Sequence, residues 1–150
     1  MSTDMKTVIA MGCLGGLLAG CGGPTKIQVL GSHQLNVNEE GESTVVKVRI
    51  YKLKDSQKFM QCTFEDLWVD DRKALGEDRL EDPLLLTVIP GGQPHTVDLG
   101  EPGGDLRFFG VMALISKKPE EEGEGRRAVV SAEAADGATF ELSGYRIIQR

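Results

Sequence analysis

The feature that most constrains the fold of this chain is the alternation of apolar and polar residues from Val46 to Leu53, which reads Val-Lys-Val-Arg-Ile-Tyr-Lys-Leu. Successive side chains of a β-strand point to opposite faces of a sheet, so this pattern predicts a strand with one buried face. Its β-branched residues are also those that strands favour. An earlier stretch has the same two-residue period, and Gly31-Ser32 in its middle predicts a bend or a bulge. The apolar members of that stretch are Ile27, Val29, Leu35 and Val37.

Apolar runs separated by turn sequences continue toward the C-terminus. Residues 84–89 are apolar apart from one threonine and end at Pro-Gly-Gly, a turn sequence. Residues 96–99 alternate before a second turn at residues 101–104. Residues 106–115 are mostly apolar, which predicts a central strand of a sheet.

The last third of the chain contains a charged segment and a hairpin signal. Residues 116–127 are rich in charge and are expected to form a flexible connection. Residues 128–134 and 138–148 flank Asp136-Gly137, a dipeptide typical of a hairpin turn, so we expect these two stretches to pair. About seven strands with frequent turns predict a mainly β fold, and specifically a β-sandwich.

Residues 55–76 have a helical pattern and predict a small insert of two short helices between strands. Thr63 with Asp66 three residues later resembles a capping box, and Gly76 follows Leu75 where a helix would end. Between the cap and Gly76, apolar residues recur at helical spacing and form one face of a helix. The tryptophan on this face is expected to pack into the insert rather than to bind a ligand. That face consists of Phe64, Leu67 and Trp68.

The N-terminus has the pattern of a secretory signal. Residues 7–18 are uncharged and mostly apolar, and they follow a single cation, Lys6. Twelve residues suit the apolar region of a signal peptide, whereas a membrane-spanning helix needs about 20. Asp4 is unusual in such a region, which favours Met5 as the true start. Residues 1–20 are therefore interpreted as a signal peptide and excluded from the folded domain.

The sequence Leu18-Ala19-Gly20-Cys21 resembles the lipobox of bacterial lipoproteins. The resemblance implies cleavage between Gly20 and Cys21 and acylation of Cys21, with no cofactor beyond these covalent acyl chains. Residues 21–25 would then form a lipidated tether, and residues 26–150 the β-sandwich domain. No aspartate follows Cys21; in enterobacterial lipoproteins that absence implies export to the outer membrane, on its periplasmic face.

The net charge limits the expected binding partners, and the cysteine content limits the expected disulfides. The chain has a net charge of −6 and no cluster of Lys and Arg, so nucleic acids and anionic headgroups are poor partners. After loss of Cys13 and acylation of Cys21, Cys62 is the single thiol left, and no intramolecular disulfide is expected. Stability must therefore come from the core, and membrane attachment from the acyl chains.

Catalytic and metal-binding patterns are absent from the sequence. His33 and His95 have no second ligand at a metal-site spacing. Cys62 has no neighbouring histidine or cation in sequence that would lower its pKa, so we interpret it as packing. Two adjacent carboxylate pairs lie in polar stretches and are expected to be solvated, whereas catalytic carboxylates need burial. These pairs are Glu39-Glu40 and Asp70-Asp71. We therefore predict that the protein is not an enzyme, with no catalytic residues and no metal.

The succession of motifs resembles the TssJ family, the outer-membrane lipoproteins of type VI secretion systems. The stretches that carry the resemblance are residues 46–53, Phe59, the Phe-Glu-Asp-Leu-Trp of 64–68, the Ala-Leu-Gly of 74–76, the strand that ends at Pro90-Gly91, and the Phe-Gly-Val-Met-Ala-Leu-Ile of 109–115. With the lipobox, they span most of residues 18–115. The last third departs from the family, because Arg126-Arg127-Ala128 replaces an expected Trp-Arg pair.

The resemblance implies a transthyretin-like β-sandwich that tethers a trans-envelope complex to the outer membrane. The implied partner is the periplasmic C-terminal domain of TssM, within a TssJ–TssL–TssM complex, and no small-molecule substrate is expected. In the family, the loop between the first two strands makes an important part of this contact. Here that loop consists of Asn36, Val37, Asn38, Glu39, Glu40, Gly41, Glu42 and Ser43.

The residues themselves leave alternatives open. The three glutamates of this loop could steer a basic partner surface, or the loop could be an ordinary solvated connection. The helical insert with Trp68 could instead make the contact. A different class of function is a general envelope lipoprotein that binds a small apolar ligand or the cell wall.

Overall fold

A computed structural model describes residues 22–116 and 125–150 and contains eight strands in two four-stranded sheets. The strands are β1 (Lys26–Leu35), β2 (Val46–Leu53), β3 (Leu84–Val88), β4 (His95–Asp98), β5 (Phe108–Ala113), β6 (Arg127–Ser131), β7 (Thr139–Gly144) and β8 (Arg146–Gln149). The first sheet has the order β4-β1-β7-β8 and the second the order β3-β2-β5-β6. The predicted signal segment with Gly20 and Cys21, and residues 117–124 of the charged stretch, lie outside the described residues.

The two sheets face each other across one apolar core, which confirms the predicted mainly β sandwich. The alternating residues of β2 divide as expected, with Val46, Val48 and Ile50 buried in this core. The central position of β5 is also confirmed, because β5 pairs with β2 on one side and β6 on the other. Burial of each such aliphatic side chain contributes about 1.5–3 kcal/mol. Within the described residues, no helix is both long enough and apolar enough to cross a membrane.

Strand β1 contains the irregularity that Gly31-Ser32 predicted. Its pairing with the parallel strand β7 shifts register between Gly31 and Leu35. The close approach of neighbouring groups explains the glycine, because a Cβ at Gly31 would lie 3.0 Å from the carbonyl oxygen of Ile89. The shift brings Leu35 back to the buried face after an interruption of the two-residue period.

A helical insert follows β2 and covers the outer face of the second sheet. It comprises α1 (Gln57–Gln61), α2 (Phe64–Val69), α3 (Asp71–Leu75) and a 3-10 turn (Gly76–Asp78), so it has three short α-helices where two were expected. The chain breaks at Asp70, whose extended φ of −147° ends α2 and whose side chain accepts a hydrogen bond from the Lys73 N–H to begin α3. The predicted cap at Thr63 is present, with its side chain accepting from the Asp66 N–H at 3.0 Å. Gly76 ends α3 with a φ of 56°.

A second apolar cluster lies between the insert and the sheet. Its buried members are Tyr51, Leu53, Phe59, Phe64, Leu67, Leu75 and Met112, and Trp68 and Cys62 pack against it. The ring of Phe59 lies directly over Gly110 of β5, where an added Cβ would approach the ring to 2.8 Å. This position therefore requires glycine for close packing.

The hairpin predicted at Asp136-Gly137 is wrong. Strand β6 pairs with β5 in the second sheet, whereas β7 pairs with β1 and β8 in the first, so the connection crosses between sheets. Two hydrogen bonds to the start of β1 fix this connection in place. The Lys26 N–H donates to Asp136 Oδ1 at 3.0 Å, and the Gly137 N–H donates to the Lys26 carbonyl at 2.8 Å. The dipeptide does form a turn, but long-range pairing with β1 rather than the turn decides where the next strand goes.

Candidate partner-binding surface

The strand directions give the sandwich two opposite ends. At one end, Thr25 leads into β1, and its backbone bonds to Gly100 and Leu99 just after β4. At the other end, β1 leads into the residue 36–43 loop, whose next residue, Thr44, donates its N–H to the Leu35 carbonyl at 3.0 Å. We call these the anchor pole and the distal pole. The loop that was predicted to bind a partner therefore lies a full strand length from the residues that follow Cys21.

Asn36 links three connections at the distal pole. Its Oδ1 accepts hydrogen bonds from the N–H and the hydroxyl of Ser116, at 2.9 and 2.7 Å. Its Nδ2 donates to Thr44 Oγ1 at 2.7 Å, and its backbone N–H donates to the Gly144 carbonyl at 2.8 Å. With a φ of 48°, Asn36 adopts the left-handed conformation that asparagine tolerates better than most residues. The side chain is only 7% exposed, so its role is to position the loop.

Asn38 shapes the exposed part of the same loop into a tight acidic turn. Its Oδ1 accepts from the N–H groups of Glu40 and Glu42, at 3.1 and 2.8 Å. The φ of Gly41 is 82°, which favours glycine at the corner of the turn. Glu39, Glu40 and Glu42 are all exposed, so this turn presents three carboxylates on a backbone held by internal hydrogen bonds.

Two further hydrogen bonds fix the loop against its neighbours, and a packing contact holds one of those neighbours in place. Ser43 Oγ donates to the His33 carbonyl at 2.6 Å, and the Tyr145 hydroxyl donates to the Val37 carbonyl at 2.9 Å. His33 also packs on Gly91, in the turn between β3 and β4, so closely that a Cβ there would lie 2.3 Å from Nδ1. The distal pole therefore combines the acidic loop with the β3–β4 and β7–β8 turns in one surface.

The structure describes only some of the predicted site residues. Gly20 and Cys21 lie outside the described residues, and residues 36–43 all lie at the distal pole. Sequence reasoning missed Ser116, Thr44 and Tyr145. Ser116 and Tyr145 are distant in sequence from the loop residues that they bind, and Thr44 lies just after the loop. One signal was available, because an asparagine directly after a strand is a candidate for a left-handed turn residue.

The segment that precedes β1 ends at a buried residue of the anchor pole. Thr25 is 4% exposed, and residues 22–25 form one side of an open cleft of about 820 Å³. Leu106, in the connection between β4 and β5, and Phe108 of β5 contribute apolar surface to this cleft. Gly22, the first described residue, therefore lies at this pole, on the side away from the acidic loop.

The polar groups beneath the helical insert serve packing. Arg127 Nη1 donates to the carbonyl oxygens of Phe59 and Cys62, both at 2.7 Å, and so holds the end of α1 on β6. Burial raises the pKa of the Cys62 thiol even though Arg127 lies beside it. Burial likewise raises the pKa of Tyr51, whose hydroxyl donates to Asp71 Oδ2 at 2.9 Å. Neither group is tuned toward the ionised form that nucleophilic chemistry needs.

The described part of the chain comprises residues 22–116 and 125–150. This part of the chain contains no group of three or more His, Cys, Asp or Glu side chains arranged to hold a metal ion. His33 and His95 lie on separate strands, and His33 is occupied by the packing on Gly91 described above. The surface that stands out is therefore a set of ordered loops and not a polar cavity.

The fold and its ordered polar loops define a small β-sandwich domain with a structured acidic surface at one pole. The chain belongs to the family of type VI secretion lipoproteins described under the names VasD, EvfM and TssJ, whose family model matches residues 24–142. Among curated proteins, no sequence match was found.

Solved structures share this fold. The type VI lipoprotein TssJ1 from Pseudomonas aeruginosa is 19% identical with a TM-score of 0.71, and the match covers 85% of this chain and 95% of that one. Serratia marcescens Lip, a membrane-bound component of the type VI secretion system, is also 19% identical, with a TM-score of 0.74 over 85% and 96% of the two chains. A chain in a structure named for the TssM C-terminal domain (869-1107) from EAEC is 24% identical, with a TM-score of 0.73 over 84% and 99%.

Proposed function

We propose that this lipoprotein anchors the type VI secretion membrane complex to the outer membrane by binding the periplasmic C-terminal domain of TssM. In this proposal the protein acts by binding and catalyses no reaction. Acyl chains on Cys21 hold the anchor pole at the periplasmic face of the outer membrane, and the distal pole faces the partner, which belongs to a TssJ–TssL–TssM complex.

The observation that carries this proposal is the position of the two ends. Residues 22–25 leave the sandwich at the anchor pole, and the residue 36–43 loop lies at the distal pole, at the far end of β1. A protein held by Cys21 would therefore present this loop away from the bilayer. The fold likeness to a chain from a structure named for the TssM C-terminal domain supports the choice of partner.

The construction of the loop supports the same role. Because Asn36 and Asn38 fix its backbone, binding would lose little conformational freedom in this segment. The three exposed carboxylates create a negative patch that accelerates encounter with a basic partner surface. A solvated loop without a partner would not need three long-range anchors to hold it.

The proposal is tested by calorimetry between residues 22–150 and the periplasmic C-terminal domain of the TssM encoded in the same genome. Residues 22–150 include all eight strands and both apolar clusters, so they form the complete folded domain. We expect a complex with a Kd in the micromolar range or tighter. Absence of heat change and of co-elution, with both proteins folded, would refute the tether role.

A further inference from the structure

Strand β3 is an edge strand that lacks the usual protection against pairing with another chain. The described sheets have four edges, and natural proteins protect such edges with charge, short length or a covering element. Strand β4 ends at Asp98, β6 begins at Arg127 and β8 begins at Arg146. Strand β3 reads Leu-Leu-Leu-Thr-Val and is followed by Ile89, so it has no charge along its length.

Among the described residues, nothing covers the outer side of β3 either. The register pairs Arg49 with Leu85 and Lys47 with Thr87, which places these four residues on the outer face of the second sheet. The helical insert covers this face over β2 and β5, but no residue of β3 belongs to the cluster beneath it. Leu85 is 73% exposed as a result.

A small groove adjoins this exposed edge. It has a volume of about 260 Å³ and lies between Leu85, Thr87 and the side chain of Trp68 in α2. Two more exposed apolar side chains continue the surface toward the distal pole, since Ile89 is 57% exposed and Val45 is 55% exposed. The surface therefore offers both unpaired strand backbone and a place for an apolar side chain.

The charges beside the groove are positive in a chain with a net charge of −6. Lys47 is exposed, and its Nζ donates to Thr87 Oγ1 at 2.6 Å, with no carboxylate in ion-pair distance among the described residues. The Arg49 guanidinium lies 3.9 Å from the centre of the Trp68 ring and 3.9 Å from Asp71 Oδ2, so its charge is already shared with a carboxylate. An occupant of this edge would therefore gain from carrying a carboxylate near Lys47.

We propose that β3 is a docking site for an extended segment of a partner protein, which adds to the sheet as a fifth strand. Backbone hydrogen bonds to the free edge of β3 supply affinity, and alternate side chains supply specificity. The segment has apolar residues in alternation, one of which enters the groove beside Trp68, and an acidic residue that faces Lys47. Pro83 and Pro90 bound the edge, so the added strand has about six residues.

The site is independent of the proposed contact between the distal-pole loop and TssM. It is tested with a library of random twelve-residue peptides displayed on phage, selected against the domain of residues 22–150. Binders are then measured on Leu85→Lys, on the conservative Leu85→Ile, and on Thr96→Lys. Thr96 is an exposed residue of edge strand β4, so Thr96→Lys places the same charge on an edge of the other sheet.

We expect selected peptides to alternate apolar residues with at least one acidic residue. Their binding should weaken at least ten-fold in Leu85→Lys and stay within two-fold of the unchanged protein in Leu85→Ile and Thr96→Lys. Amide hydrogen exchange should slow in β3 on binding. The proposal is overturned if no selected peptide loses binding to Leu85→Lys. It is also overturned if the protection from hydrogen exchange is confined to another strand. Sedimentation showing a dimer that Leu85→Lys abolishes would assign the edge to a second copy and overturn it equally.

Discussion

The side chain of Asn36 holds Ser116, a residue 80 positions later in the chain, by two hydrogen bonds to one oxygen atom. This contact joins the connection between β1 and β2 to the end of β5. The acidic loop is therefore held in position by a residue that follows β5, far from the loop in sequence. A change at Asn36 should affect both the stability of the domain and the recognition of a partner.

Replacement of Asn36 by alanine should lower the free energy of unfolding by roughly 1–2 kcal/mol, because the N–H and hydroxyl of Ser116 lose their acceptor and Thr44 Oγ1 loses the Nδ2 donor. Urea unfolding followed by circular dichroism measures this loss. Asn36→Gly is the control, since glycine accepts the φ of 48° without strain. If Asn36→Gly is as stable as the unchanged protein, the hydrogen bonds do not stabilise the distal pole.

Replacement of Gly110 by alanine should destabilise the domain by about 1–3 kcal/mol, because the new methyl group would collide with the Phe59 ring. The insert can relieve this collision only by lifting α1 from the sheet. In a Phe59→Leu background the additional cost of Gly110→Ala should shrink, and a double-mutant cycle measures that coupling. Gly23→Ala is the control, because a Cβ at Gly23 would have no neighbour within 4 Å.

Tyr51 should make the protein sensitive to alkaline pH. Burial raises the pKa of its hydroxyl, which donates to the Asp71 carboxylate, so the folded state favours the neutral phenol. The unfolded chain releases this proton near the ordinary tyrosine pKa of about 10. The contribution of Tyr51 is therefore complete below that pH and falls as the pH rises above it.

Urea unfolding at pH 8 and at pH 11 tests this dependence. The unchanged protein should lose more stability between the two pH values than Tyr51→Phe does. Tyr51→Phe should itself be less stable at pH 8 by about 1–2 kcal/mol, because Asp71 loses a donor. Tyr145 is present in both proteins and serves as the internal reference. Equal losses in the two proteins would contradict the assignment to Tyr51.

Replacement of Cys21 by serine should abolish attachment of lipid to the protein. Acyl chains bind a bilayer with about 0.8 kcal/mol per buried CH₂, and serine cannot carry the thioether-linked lipid. We expect incorporation of alkyne-tagged palmitate into the unchanged protein and loss of this label in Cys21→Ser. Cys62→Ser is the matched control and should remain labelled, since Cys62 packs beneath the helical insert.

The alternation of residues was sufficient to predict the sandwich, and local signals correctly predicted the bulge at Gly31 and the cap at Thr63. Contacts over long sequence distances were not predictable from the same patterns. Asp136-Gly137 has the sequence of a hairpin turn, but hydrogen bonds to Lys26 send the next strand to the other sheet. The Arg127 side chain donates a hydrogen bond to the carbonyl of Cys62, 65 residues earlier. No spacing pattern in the sequence predicts a contact between two such positions.

The acidic loop offers the sharpest test of the proposed partner. Replacement of Glu39, Glu40 and Glu42 by lysine should slow association with the TssM domain at least ten-fold at low salt, because a steering patch becomes a repelling one. The effect should shrink as salt rises and the Debye length falls to about 8 Å at physiological ionic strength. Stopped-flow fluorescence over a salt series measures both quantities.

A variant with the same change in charge at the anchor pole separates local steering from net charge. Glu101, Asp105 and Glu133 are exposed residues of the connections at that pole, and their replacement by lysine changes the net charge by the same amount. At physiological ionic strength this control should associate within about two-fold of the unchanged protein, because its new charges lie a full strand length from the proposed contact, beyond the Debye length of about 8 Å. Equal slowing in the two variants would mean that net charge governs association. The acidic loop would then lose its place as the recognition element, while the lipid anchor and the sandwich would be unaffected.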